Sequence, residues 1–182
     1  MKDEMSSGIR KARLTVPAVG RDHLQGPTDA PITLLEYGDY ECPYCGEAHP
    51  IVKAVQDRLG NRLCFAFRHF PLMMHPHAEH AAEAAEAAAA QGKFWQMHNL
   101  LFENQDALED EELAEYATTL RLDAKRLIGE VQNRAHEDRI REDLKTGRRI
   151  GVNGTPTFFV NGVPYDGEAE VKALLAALTN NP

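Results

Sequence analysis

Cys42 and Cys45 stand three positions apart in Cys42-Pro43-Tyr44-Cys45, after an apolar run and ahead of a helix-compatible one. At one helical turn's separation, one thiol can attack a disulfide and the other can resolve the mixed disulfide that results. The attacking species is the thiolate, which an ordinary cysteine only sparsely supplies at neutral pH. Pro43 suits the first position of a helix, where its missing N–H leaves nothing unpaired. Cys42 therefore falls at the helix start, where unpaired backbone N–H groups and the positive end of the helix dipole favour an anion. Its pKa is expected in the range of roughly 3.5 to 7.5. Cys45, one turn further in, is expected to be more buried and less reactive.

Other chemistries fit these residues less well. The pair could be half of a structural zinc site, but such a site needs four convergent ligands. Only Cys64 and scattered histidines remain to complete one. Cys64 falls on a predicted strand and reads as a small buried hydrophobe. His77 and His80 have helical spacing and His75 precedes them, yet no carboxylate constellation accompanies them, so they read as solvated surface. No metal is assigned. His49, one turn beyond Cys45, would lower a neighbouring thiol's pKa only when protonated.

The elements that must position the pair follow from punctuation and periodicity. Arg13–Val16 could be a short edge strand, and residues 26–31 are turn chemistry around Pro27 and Pro31. Ile32–Tyr37 reads as a buried strand and Pro43–Leu59 as a helix stopped by Gly60. Arg62–Phe70 alternates, with Leu63, Phe65 and Phe67 on one face and Cys64, Ala66 and Arg68 on the other. Residues 76 to about 150 are helical in character. Asp110 and Asp123 are candidate N-caps there. Glu79, Glu83 and Glu86 are expected as a solvated stripe, and Phe94 and Trp95 as packing against the core. Thr157–Val160 and Val163–Tyr165 read as strands around an Asn161-Gly162 turn, followed by an amphipathic helix over Glu168–Leu178. The order is strand, helix, strand, helical block, strand, strand, helix.

Five patches together resemble the DsbA-like family of thiol–disulfide oxidoreductases in the thioredoxin superfamily. They are Pro27-Thr28-Asp29-Ala30-Pro31 with Glu36 through Cys45, Arg68-His69-Phe70-Pro71-Leu72, Ala81 through Ala85, Gly92-Lys93-Phe94-Trp95, and Gly154 through Gly162. The likeness runs from about residue 22 to 178. It implies an α/β thioredoxin fold with an inserted helical domain. The expected division is a tail over 1–20, a βαβ half over 21–74, the insertion over 75–150 and a ββα half over 151–182.

The resemblance also assigns roles. Pro156 matches the family's cis-proline beside the redox pair, where neighbouring backbone can accept a client segment as an added strand. Thr155 would sit against the thiols. Glu36 matches a buried acid beneath the pair. Its apolar neighbours Leu34 and Leu35 predict a strand covered on both faces, so its carboxyl is expected to have a raised pKa and to exchange a proton with Cys45. Pro43 and Tyr44 are expected at the client surface. Cys-Pro-Tyr-Cys is also typical of glutaredoxins, which adds glutathione to protein thiols and disulfides as a candidate partner.

Composition sets the outer limits. The chain has 182 residues, 43% hydrophobic and 26% charged, which is ordinary for a globular protein. A net charge of −8 argues against nucleic acid or an anionic membrane as partner, since both call for clustered Lys and Arg. No apolar leader region follows the charged first residues, so the chain is expected in the cytoplasm, as a monomer or weak dimer. The expected function is disulfide exchange through a redox-active Cys42–Cys45 disulfide, with no other cofactor. The alternative is a redox-sensing binding module without turnover.

Overall fold

The computed structural model describes residues 20–180, so the edge strand expected at Arg13–Val16 lies outside the described residues. The apolar runs become strands β2 (Ile32–Gly38) and β3 (Leu63–His69), buried along almost their whole length. Burial of both faces is what a run without polar alternation demands. They pair in parallel, Leu34 opposite Phe65 and Glu36 opposite Phe67. A parallel pair needs a crossover, and helix α1 (Pro43–Leu59) supplies it with the bounds expected from sequence. Gly60 ends the helix at φ 51°, in the left-handed region that favours glycine.

Strand β4 (Thr157–Val160) pairs antiparallel with β2, and β5 (Val163–Tyr165) with β4. Asn161 and Gly162 turn between them at φ 49° and 78°, the two positive values of a type I′ turn. The C-terminal helix is Val171–Asn180, starting three residues later than expected. One strand has no counterpart in the sequence reading: β1 (His23–Gln25) pairs antiparallel with β3 and makes the sheet order β1-β3-β2-β4-β5. Three residues are too few for alternation to register, and Trp95 helps hold them by donating its indole N–H to the Leu24 carbonyl (3.0 Å).

Five helices fill the interval between β3 and β4: α2 (Ala78–Ala89), α3 (Phe94–Glu103), α4 (Asp110–Thr119), α5 (Ala124–Gln132) and α6 (Glu137–Arg149). The C-terminal helix is thus α7. The larger core lies where α1, α7 and the insertion meet one face of the sheet, around Leu34, Val52, Phe65, Phe67, Met97 and Leu174. A smaller core of Leu35, Tyr37, Ala66, Phe70 and Phe159 is covered on the other face by Leu144 of α6.

Two expectations about the insertion need correction. Of the three glutamates expected in water, only Glu79 is exposed; Glu83 and Glu86 are buried. Glu86 accepts from His23 Nε2 (2.8 Å) and His69 Nε2 (2.7 Å), which hold its carboxyl well below the usual range against the cost of burial. Glu83 accepts from the His136 backbone N–H (2.9 Å). These partners lie on other elements, so the helix sequence could not show them. Asp123 does cap α5, accepting from the Arg126 N–H at 2.9 Å. Asp110 does not cap α4; Glu109 occupies that place, and Asp110 instead binds His80 and Gln132.

Candidate active site

The fold brings Cys42, Cys45, Glu36, Thr155 and Pro156 to one end of the sheet. Cys42 is the residue before α1, in extended conformation, and its carbonyl accepts the Cys45 and Gly46 N–H groups (3.0 and 3.1 Å). Cys42 Sγ lies 3.4 Å from the Thr155 carbonyl, and the Thr155–Pro156 bond is cis. Cys42 shows 3% of its surface and Cys45 none; both are free thiols. Tyr44, between them in sequence, is 69% exposed, and Pro43 is exposed too.

The electrostatics separate the two sulfurs. The Cys45 thiol hydrogen-bonds to Cys42 and is the main reason that Cys42 is lowered from 9.0 to about 5. The backbone N–H groups of Cys45 and Tyr44 add to this against a smaller desolvation cost. The helix start thus contributes as expected, but the neighbouring thiol contributes more. Burial and the donated bond push Cys45 far above the ordinary thiol range. Glu36 is raised from 4.5 to about 8, chiefly by burial and then by the nearby Cys42 charge. Its Oε1 and the Thr155 hydroxyl are buried without a hydrogen-bond partner among the described residues.

Several residues that hold this end were not singled out from sequence. The Asp39 carboxylate accepts from the Glu41 and Leu72 backbone N–H groups (both 2.8 Å) and lies 2.7 Å from His75 Nδ1. Glu41 accepts from the His77 backbone N–H (2.6 Å) and lies 2.9 Å from its Nδ1. His75 and His77, expected as free surface, are thus partly buried partners of the loop that carries the cysteines. From the insertion, Gln105 Nε2 donates to the Tyr40 and Cys42 carbonyls, both at 2.8 Å. Gly46 leaves room for it: a Cβ there would lie 2.1 Å from Gln105 Oε1. Position 46, just after the pair, was the one sequence clue to a close approach.

Cys64 is buried on β3, as expected of a small hydrophobe, and burial raises its pKa. His23, His69 and Glu86 are the one trio of metal-ligating types that converges among the described residues. Their 2.7 and 2.8 Å contacts are hydrogen-bond distances, and Arg139 Nε lies 3.8 Å from the same Glu86 oxygen. The trio is a hydrogen-bonded cluster tying β1 and β3 to α2.

A family model described as thioredoxin matches residues 18–180. The Na(+)/H(+) antiporter NhaA 1 of Salinispora arenicola (strain CNS-205) is 47% identical over 161 residues, which are 88% of this chain and 24% of the antiporter. The chain thus spans about a quarter of the length of the curated relatives it matches. BdbD from Bacillus subtilis, in its oxidised form, shares the fold with a TM-score of 0.81 at 22% identity, over 90% of this chain and 94% of that one. A thioredoxin-like oxidoreductase from Silicibacter pomeroyi DSS-3 gives a TM-score of 0.78 at 25% identity, over 88% and 92%. Fold and site define a thioredoxin-fold protein of the thiol–disulfide oxidoreductase type. The chain belongs to the thioredoxin family whose model it matches over residues 18–180, with a helical insertion between β3 and β4.

Proposed function

We propose that this chain catalyses thiol–disulfide exchange on protein disulfides, with glutathione as a second thiol partner. The observation that carries the reading is the division of labour between the sulfurs. Cys42 is the lowered thiol at a helix start, and Cys45 is fully buried behind it with a raised pKa. In the reducing direction, Cys42 thiolate attacks one sulfur of a client disulfide and expels the other as thiolate. Cys45 then loses its proton to the Glu36 carboxylate and attacks Cys42 Sγ. The second client thiolate leaves, and the Cys42–Cys45 disulfide remains. Oxidation of a client dithiol is the same sequence reversed. Beside Cys42, the backbone at Thr155 and Pro156 would receive an extended client segment, and exposed Tyr44 would flank it.

Transport belongs to the matched antiporters; what comes from them to this chain is a domain of its own kind. No helix among the described residues is long and apolar enough to cross a membrane. The test is insulin reduction with dithiothreitol. The wild-type chain should accelerate it and Cys42→Ser should not. No acceleration, with one partner retained only in one redox state, would replace the enzyme by the redox-sensing module.

A further inference from the structure

The exchange mechanism leaves one proton unaccounted for. When Cys45 attacks, its proton passes to Glu36, which must return it to water before the next turnover. Glu36 is 2% exposed and lies on the α1 face of β2, so it has no surface of its own to do this. It does line a cavity of about 390 Å³ that opens to solvent between β1, α1 and α3. His49, one turn beyond Cys45 on α1, lines the same cavity, as do Gln56, Lys53 and His98.

Two atoms in this cavity stand out because they are buried without partners among the described residues: Glu36 Oε1 and His49 Nε2. Buried polar atoms are otherwise almost always paired, and a polar cavity of this size has room for water to bridge them at about 30 Å³ a molecule. The other ionisable side chains on the cavity are committed or turned to the rim. His98 Nδ1 is 3.0 Å from the Tyr40 hydroxyl. Lys53 pairs with Glu103 at 3.4 Å on the exposed side. Asp57 is exposed on the outer turn of α1. His49 is thus the buried group in the cavity with a free nitrogen to accept a proton from the Glu36 side.

We infer that His49 is the proton-relay residue between Glu36 and bulk solvent. It takes the proton at Nε2, through water, as one leaves Nδ1 for solvent, and the flow reverses when the Cys42–Cys45 disulfide is reduced again and Cys45 regains its proton; the imidazole stays neutral and its tautomer is restored over the cycle, while Glu36 returns to carboxylate. Burial lowers His49 from 6.5 to about 4, which suits a relay that never stores the proton. His49 acts through Glu36 and not on the sulfurs. The inference rests on the exchange function proposed above and deepens it.

The experiment is single-turnover reduction of a model disulfide by the reduced chain, with capture by Cys42 and resolution by Cys45 followed separately by stopped flow. His49→Phe keeps a ring against Phe102, which His49 stacks on at 5.1 Å, and His49→Ala opens space for a free imidazole. Both should leave capture unchanged and slow resolution by about tenfold or more, in the range of a lost acid–base step. Added imidazole should restore His49→Ala. Glu36→Gln should be equally slow and not restored, and combining it with His49→Ala should slow it no further. Wild-type resolution rates in His49→Phe, or a His49→Ala defect that imidazole does not restore, would overturn the relay while leaving exchange intact. Failure of the wild-type chain to form the mixed disulfide would instead sink the exchange reading, and the relay with it.

Discussion

Lowering a thiol's pKa changes what it does best, and the shift at Cys42 is large enough to work out. With Cys42 titrating at about 5 instead of 9.0, its thiolate outnumbers its thiol by about 100 to one at pH 7, where an ordinary thiol would show the inverse ratio. Thiolate nucleophilicity falls with pKa at a Brønsted slope of about 0.4–0.5, so four units cost about 40- to 100-fold and nearly cancel that gain. The leaving-group side has no such cancellation. Stabilising the reduced state about 100-fold at pH 7 makes the Cys42–Cys45 couple about 59 mV more oxidising than one with an ordinary thiol, at 29.6 mV per tenfold for two electrons. Reduction should then take up two electrons and one proton between pH 5.5 and 7.5, and the potential should fall by about 30 mV per pH unit. The measurement is equilibration in glutathione buffers across that range, with the reduced fraction read by alkylation and mass shift. It should be made also in Glu36→Gln, which removes the second titrating group. A slope of about 59 mV per pH unit, the two-proton value, would refute an ionised Cys42.

Glu36→Gln should also stabilise the reduced protein at pH 7. A carboxyl raised from 4.5 to about 8 holds its proton more tightly folded than unfolded, so its contribution is full below pH 4.5 and lost as pH rises toward 8. At pH 7 the loss comes to about 3 kcal/mol. Thermal unfolding at pH 4 and pH 7 should show a raised Tm at pH 7 alone; equal shifts would count against a buried acid. Asp39→Ala strands the Glu41 and Leu72 N–H groups, and urea unfolding should find a loss of about 3–5 kcal/mol; a loss below about 1 kcal/mol would show that water replaces the carboxylate. Gly46→Ala should displace Gln105 and cost about 1–3 kcal/mol, and adding Gln105→Ala should cost little more. Additive losses in that cycle would mean the two do not touch.

The framework was readable because each of its signals is local. Pro43 and Gly60 bracket α1 to the residue, Asn161-Gly162 marks its hairpin, and Asp123 caps its own helix. Leu34 and Leu35, both fully buried, were enough to predict that Glu36 between covered faces would be buried too. What stayed hidden depends on partners distant in the chain. His23 and His69 reach Glu86 from 63 and 17 residues away, so a buried acid looked like a wet one. Asp39 and Glu41 looked like ordinary charges beside the motif, because His75 and His77 lie 36 residues on. Cys45 as the largest cause of the low Cys42 pKa was hidden differently, since spacing shows that two sulfurs are near but not which one donates.

The grip of Gln105 on the carbonyls of Tyr40 and Cys42 has a mechanical consequence. Gln105 belongs to the helical insertion, and the cysteines belong to the sheet-bearing half. A hinge movement between the two halves would have to break both amide bonds, uncovering a carbonyl at the reactive sulfur's own residue. Any client docking that pried the halves apart would therefore register at Cys42 itself, through the two bonds that Gln105 makes there.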